Sequence, residues 1–223
     1  MVLAGGCAVA PPSPATGEES GLWVDERELH LRGTISRSLI PEFEAAFAES
    51  EDLERFLVES GGGDMETAMY LGALIHQAGL VVEVVGFGCL SSCANYLFPA
   101  GSARRIRPGA VVAWHGSAIQ ENWNRELSGD ELESLEEMRR RQAKFFEMVR
   151  VDERITIVGQ DLECGCSWAL STGDMARFGL TGVEAPADYE STDLSWARGD
   201  GIRFLSLPED VFERIRTPRT AMP

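Results

Sequence analysis

Apolar positions change their spacing along the first half of the chain, and this change predicts strands alternating with helices. Residues 36–50 and 65–77 carry apolar stripes at helical spacing, and Gly79 is a typical helix end. The runs 53–59 and 81–85 are short and apolar, as in buried strands. The resulting β-α-β-α-β-α-β order predicts an α/β fold with a parallel sheet and helices packed across it.

The second half continues with shorter elements and one long helix. Strands are predicted at 103–106, 110–114, 181–183 and 202–205, and helices at 128–149, 152–160, 170–178 and 209–215, with a loop at 161–168. We expect residues 1–20 to be a disordered leader or tether and 21–190 to form one domain. Residues 191–223 would then be an extension packed on that domain.

The stretch 86–95 has two glycines and two serines between apolar runs, which is typical of a sharp turn from a strand to a helix. A serine in such a turn lies beside free backbone N–H groups and the positive end of a helix dipole. A glycine-rich turn at 60–63 precedes it and His115 closes a later strand. Equivalent loop ends of a parallel sheet converge, so a hydroxyl, an imidazole and backbone N–H donors are expected together, as in serine hydrolases.

These motifs, in this order, resemble the proteolytic subunit of Clp protease and the wider Clp/crotonase superfamily. More closely, the chain is similar to uncharacterised bacterial envelope proteins of that superfamily. The motifs are Ser60–Gly63, Gly88–Ala94, Ala100–Gly101 and Pro108–His115. The resemblance implies a spiral of β-β-α units with a parallel sheet and a projecting handle helix at about 128–150.

The resemblance also implies roles for individual residues. In the family a serine lies about nine positions, or two and a half helical turns, before the glycine that ends its helix, and counting back from Gly101 gives Ser92 as nucleophile, with Ser91 as the alternative. His115 corresponds to the base. The oxyanion donors correspond to Gly62 and Cys93.

The third member of a Ser-His-Asp triad departs from the family pattern. Ser167 stands where the family has aspartate, and Asp161 or Glu163 is the nearby carboxylate that would orient the histidine. A Ser-His dyad or an imperfect triad is therefore expected.

The net charge limits the classes of binding partner, and the cysteines bear on the cellular compartment. A net charge of −16 argues against nucleic acid and anionic membrane surfaces as partners. The first seven residues resemble the end of a lipoprotein signal, with Cys7 as the lipidated residue, which would place the protein in the periplasm or cell envelope; otherwise it is cytoplasmic. The remaining cysteines, Cys89, Cys93, Cys164 and Cys166, would form disulfides in the first case and buried thiols in the second.

The sequence thus predicts a serine hydrolase, most specifically a peptidase acting on a peptide or protein. The alternatives are a catalytically silent envelope scaffold and a crotonase-like acyl-CoA enzyme, which would need carboxylates rather than a Ser-His pair. Neither a cofactor nor a metal site is expected. Assembly into a homo-oligomer through the handle helix is implied by the family, and membrane attachment would come only from an N-terminal lipid.

Overall fold

The structure, a computed structural model, describes residues 21–50, 52–120, 127–197 and 201–216. Strands and helices alternate in the first half of the chain, in the predicted order. The described strands are β1 (Gly21–Asp25), β2 (Glu28–Arg32), β3 (Arg55–Ser60), β4 (Val81–Leu90), β5 (Arg104–Ile106), β6 (Val111–Ala113), β7 (Ser167–Leu170), β8 (Val183–Glu184) and β9 (Ile202–Leu205).

Two of the described α-helices begin at a residue whose side chain accepts a hydrogen bond from a free backbone N–H group. Asp64 caps the second helix by accepting a hydrogen bond from the Thr67 N–H, and Gly79 ends it in the left-handed conformation. The described α-helices are α1 (Leu39–Glu49), α2 (Met65–Ala78), α3 (Asp130–Val149), α4 (Val158–Asp161), α5 (Thr172–Arg177) and α6 (Glu209–Arg216); a π-helix (Cys93–Leu97) and a 3₁₀ turn (Phe98–Ala100) lie between β4 and β5.

Among the described strands, seven form one mixed sheet in the order β1-β2-β3-β4-β5-β8, with β6 paired to β4. The β1–β2 pair is antiparallel, and the other pairs in this sheet are parallel. Strands β7 and β9 form a separate parallel pair. The predicted α/β class is therefore confirmed, with a mostly parallel mixed sheet.

Strand β4 extends five residues beyond the predicted 81–85 run and changes partner along its length. It pairs with β5 through Val82–Val84 and with β6 through Gly88–Leu90. Gly88 has a φ of 134°, and a Cβ there would lie 2.0 Å from the Val111 carbonyl oxygen. Glycine thus allows β6 to approach β4 closely, which brings the end of β6 beside the turn that follows β4.

Helix α3 packs on the domain through its C-terminal half. Phe145 and Phe146 are buried, and their ring centroids lie 5.5 and 6.1 Å from that of Tyr96. Gln142 is fully buried between them and the loop that follows β6. Of the ten residues in its N-terminal half, five are exposed, and Arg139 in this half donates to the Ala118 and Gln120 carbonyls.

Two predicted elements are wrong in the region 152–178. The expected helix over 152–160 is a 3₁₀ turn (Glu153–Thr156) followed by the short α4. Part of the expected loop at 161–168 belongs to β7, because Ser167 and Trp168 pair with β9, and Trp168 also exchanges backbone hydrogen bonds with Trp114. These partners are distant in sequence, so they leave no local pattern. Helix α5 then begins after Ser171, whose side chain accepts a hydrogen bond from the Asp174 N–H.

The C-terminal segment 201–216 packs against the domain. Strand β9 pairs with β7 in the separate two-stranded sheet. The Phe212 ring of α6 contacts Phe178 edge to face at 5.1 Å, and the Arg177 guanidinium lies 3.9 Å from the centre of the same ring. The predicted limits at residues 20 and 190 remain predictions, and the leader with Cys7 lies outside the described residues.

Candidate active site

Ser91 occupies a strained backbone position directly after β4. Its φ is 58°, in the left-handed region that residues other than glycine seldom adopt. Two hydrogen bonds hold it there, because its N–H donates to the Ala113 carbonyl and its own carbonyl accepts from the Asn95 N–H, each at 2.9 Å. Strained residues held in this way at a strand-to-helix turn are characteristic of nucleophiles exposed above a sheet.

His115 lies against Ser91. It follows β6, the strand adjacent to the end of β4, and its Nε2 is 2.7 Å from the Ser91 Oγ. When the neutral ring carries its hydrogen on Nδ1, the Ser91 hydroxyl donates to Nε2, which is the arrangement that general-base activation of a serine requires. The predicted convergence of the serine turn with His115 is thus present in the structure.

Ser92, the predicted nucleophile, is directed elsewhere. Its Oγ donates to the Gly63 carbonyl oxygen at 2.8 Å, and the residue is 2% exposed. The hydroxyl therefore ties the serine turn to the glycine turn. The structure places Ser91, the alternative, against His115.

The one-residue difference has a physical cause in the helix that follows the turn. Residues Cys93–Leu97 form a π-helix, which contains about one more residue per turn than an α-helix. Counting back nine positions from Gly101, as for an α-helix, therefore gives Ser92, which is one residue after Ser91. Ser91 lies ten positions before Gly101, which is the distance expected when a single residue is inserted into the helix.

The glycine turn lies directly against the serine turn. A Cβ on Gly62, whose φ is 93°, would lie 2.7 Å from the Ser91 Cβ and 2.9 Å from the Ser92 backbone nitrogen. The Gly62 N–H, predicted as an oxyanion donor, instead donates to the Ser60 Oγ at 3.1 Å. Cys93 was predicted as an oxyanion donor because it follows Ser92. With Ser91 as the candidate nucleophile, the residue that follows is Ser92. The corresponding oxyanion donor is then the Ser92 N–H, at the first helical turn.

The position opposite His115 belongs to Ser167. The antiparallel bridge between Trp114 and Trp168 places the next residue of one strand opposite the preceding residue of the other. Asp161, one of the predicted acids, contributes to the electrostatic environment of Arg154, and Glu163 is exposed. Of the carboxylates in the described residues, none acts on the pKa of His115.

Burial lowers the pKa of His115, and a hydrogen bond to its own backbone partly opposes this effect. A ring with hydrogen on Nδ1 has its acceptor lone pair on Nε2, toward the serine hydroxyl.

This lowered pKa predicts that reactivity persists into mildly acidic solution. Protonated imidazole cannot accept the Ser91 proton, so the rate falls only when the pH approaches the folded-state pKa of His115, which lies below the ordinary value of 6.5. We expect the rate of labelling by a fluorophosphonate probe to reach half its plateau below pH 6.5. Circular dichroism at each pH would show that the protein stays folded, and a midpoint above the ordinary histidine value would contradict the prediction.

Three amide side chains bind the loop that follows His115, and two of them, on Asn95 and Gln142, are buried. The Gln160 Nε2 donates to the His115 carbonyl at 3.1 Å, and the Asn95 Nδ2 donates to the Gly116 carbonyl at 2.9 Å. Gln142, from α3, accepts from the Ala118 N–H at 3.2 Å. None of the three amides could be predicted from the sequence, because isolated Asn and Gln residues form no motif and their partners are set only in the folded chain.

The four cysteines of the domain form two local pairs, Cys89–Cys93 and Cys164–Cys166. The first pair brackets the serine turn, with Cα atoms 5.3 Å apart, and both of its cysteines are fully buried. The alternative pairing from the serine turn to the 161–168 loop is not formed among these residues.

Other features bear on partners. No helix in the part of the chain described by the structure has both the length and the apolar character needed to cross a bilayer. The same residues contain no group of three or more His, Cys, Asp or Glu side chains placed to bind a metal ion.

The sequence matches no protein-family model, and no curated protein matches it. The chemistry of the site is therefore inferred from the geometry of Ser91, His115 and the glycine turn.

Proposed function

We propose that the protein is a serine hydrolase, with Ser91 as nucleophile and His115 as general base. One observation carries the proposal: the Ser91 Oγ lies 2.7 Å from the His115 Nε2 while the Ser91 backbone is held at a φ of 58°. A serine that only capped a helix would need neither the strained backbone nor the imidazole.

The geometry supports acyl transfer in two steps. His115 takes the Ser91 proton as Oγ bonds to the carbonyl carbon, and the developing oxyanion is met by the Ser92 N–H beside Gly62. The imidazolium then gives its proton to the leaving amine or alcohol, and an acyl-enzyme remains. Water, deprotonated by His115, releases the acid and restores the Ser91 hydroxyl.

Within this class, we propose a peptidase of the Clp/crotonase type. The mostly parallel sheet, the glycine turn against the serine turn and the long helix after His115 support the spiral arrangement that the sequence resemblance implies. A peptide or protein is the substrate that follows from that resemblance. The N-terminal half of α3, which is partly exposed, is the surface we propose for a homo-oligomeric contact.

The cysteine pairs support an oxidising compartment. Disulfides such as Cys89–Cys93 form and persist in the periplasm and outside cells. We therefore propose a location in the cell envelope, with lipidation of Cys7 as the means of attachment.

The silent scaffold remains the second candidate, since the described residues contain no carboxylate that acts on the pKa of His115. The two functions differ in the reactivity expected of the Ser91 hydroxyl. A hydrolase requires an activated hydroxyl, and a catalytically silent scaffold does not. The acyl-CoA alternative is less well supported, because that chemistry needs carboxylates rather than a Ser-His pair, and the site contains Ser91 and His115.

Mapping the adduct of a fluorophosphonate probe tests the proposal. The probe phosphonylates an activated serine with loss of fluoride, and digestion followed by tandem mass spectrometry locates the modified residue. We expect the adduct on Ser91 and not on Ser92, and heat-denatured protein should give none. A folded, unlabelled protein would instead support the scaffold, and an adduct on Ser92 would contradict the assignment of the nucleophile.

A further inference from the structure

We propose that the Cys89–Cys93 disulfide is the positioning element of Ser91, and that the hydrolase is active only while this bond is formed. This role rests on the proposed function, since it concerns the backbone of the same nucleophile. The bond would then control the site itself, in addition to marking the compartment in which it forms. A chain that folds with free thiols would stay inactive until it reaches an oxidising compartment.

The disulfide closes a small ring that contains the candidate nucleophile. Cys89 and Cys93 are four positions apart in sequence, their Cα atoms are 5.3 Å apart, and Ser91 is the middle one of the three residues between them. Both cysteines are fully buried. The turn from β4 into the helix therefore lies inside the ring, and the φ of 58° occurs at its middle residue.

The two ends of the ring belong to different elements. Cys89 lies in β4, where it pairs with Ser60 of β3 and Val112 of β6. Cys93 is the first residue of the π-helix, and its carbonyl accepts a hydrogen bond from the Phe98 N–H. The disulfide therefore fixes the first residue of the helix against the interior of the sheet, and with it the register between strand and helix.

Ser91 depends on that register for its conformation. A residue other than glycine stays in the left-handed region only where its surroundings hold it there. Its N–H is bound to the Ala113 carbonyl on the sheet side, and its carbonyl is bound to the Asn95 N–H on the helix side. Opening the disulfide frees the helix side to move, so Ser91 can relax and carry its Oγ away from the His115 Nε2.

Stabilisation of the whole fold accounts less well for the position of this bond. A disulfide constrains the unfolded chain more when it closes a longer loop, and only three residues separate these two cysteines. The Cys164–Cys166 pair closes a ring of similar size outside the serine turn. It is therefore a matched control within the same chain.

Stepwise reduction of the native protein tests the proposal without a substitution. Dithiothreitol supplies two electrons and two protons through two thiol exchanges, so each protein disulfide becomes two thiols while the reagent becomes a cyclic disulfide. Cys164 is half-buried, whereas Cys89 and Cys93 are fully buried, so the Cys164–Cys166 bond should open first. Alkylation in denaturant and peptide mapping would give the fraction of each bond that remains.

The labelling rate should follow only one of the two bonds. We expect fluorophosphonate labelling to stay at its initial rate while Cys164–Cys166 opens. It should fall about 10²-fold as Cys89–Cys93 opens, because displacing a reacting group by about 1 Å has an effect of that size. Reoxidation of the same sample should restore the rate.

Paired variants make the same comparison where the buried bond resists dithiothreitol. Cys89→Ala/Cys93→Ala should label about 10²-fold more slowly than the wild type, and Cys164→Ala/Cys166→Ala should stay within a few-fold of it. In the slow variant the pH midpoint of labelling should remain below 6.5, since His115 stays buried and only the plateau falls. The carbon-13 shifts of the Ser91 backbone, which report its φ, should differ between the oxidised wild type and this variant.

Three results would overturn the proposal. They are labelling at the wild-type rate with Cys89–Cys93 open, equal losses in the two double variants, and a pH midpoint that rises to the ordinary histidine value, which would show that the bond only stabilises the fold. If the wild-type protein is not labelled at all, the proposed function fails. The Ser91 shifts then still decide whether the disulfide holds its backbone.

Discussion

Replacing Ser91 by alanine is expected to abolish labelling by a fluorophosphonate probe, whereas replacing Ser92 is expected to leave it intact. Ser91 carries the hydroxyl that meets the His115 Nε2. The Ser92 hydroxyl donates to the Gly63 carbonyl, away from the imidazole. Loss of a serine nucleophile typically lowers the catalysed rate by about 10⁶-fold, so the residual signal in Ser91→Ala should be indistinguishable from background.

The two variants control for each other, because they remove the same atom from adjacent residues. Ser92→Ala loses one buried hydrogen bond, which is worth about 1 kcal/mol, so its melting temperature should fall slightly while its labelling rate stays within a few-fold of the wild type. Ser91→Ala should be at least as stable as Ser92→Ala. Labelling that survives Ser91→Ala but not Ser92→Ala would reverse the assignment, and labelling that survives both would exclude the serine turn as the reactive site.

Replacing Gly62 by alanine is expected to have the next largest effect, a loss of labelling of about 10²-fold or more, which is the usual effect of disturbing an oxyanion site. The new Cβ would lie 2.8 Å from the Leu90 carbonyl oxygen and 2.9 Å from the Ser92 nitrogen. Both contacts are with backbone atoms, so the serine turn itself must move. The movement would displace the Ser92 N–H and would loosen the hydrogen bond between Ser91 and His115.

Gly109→Ala is the matched control for Gly62→Ala. Gly109 has a similar φ, 83° against 93°, but nothing lies within 4 Å of the position its Cβ would take. Both variants carry the backbone strain of a positive φ, about 1–2 kcal/mol, and only Gly62→Ala adds the collision. Comparing labelling rates and melting temperatures therefore isolates the contact with the serine turn. Equal effects of the two substitutions would contradict the proposed role of Gly62.

Much of the candidate site could be predicted because it depends on local sequence. The glycine turn, the paired serines and His115 each stand at the end of an apolar run, and parallel strands bring such ends together. The histidine and the contact between the two turns were found in this way. The choice between Ser91 and Ser92 was not, since it depends on a π-helical turn whose extra residue leaves no mark on the apolar pattern.

The surroundings of His115 were predicted least well, and for a related reason. Strand β7 forms by pairing with β9, more than thirty residues further along the chain, and Trp168 is also bridged to Trp114, more than fifty residues before it. That bridge places Ser167 opposite His115, while Gln160 of α4 donates to the His115 carbonyl. The spacing of family motifs predicts an acid at one position along the chain. A side-chain amide that binds a backbone carbonyl far away in sequence has no characteristic spacing, so it cannot be predicted in this way.

The sequence by itself determined the α/β class, the mostly parallel order of the sheet and the two turns that carry the reactive groups, because hydrophobic period and glycine positions act over a few neighbouring residues. The tertiary structure decided which serine meets the histidine and which side chains bind the backbone carbonyls beside it. Those choices depend on helix winding and on hydrogen bonds between residues far apart in sequence. The serine turn is therefore a property of the stretch 86–95, and the reactive pair Ser91–His115 is a property of the folded chain.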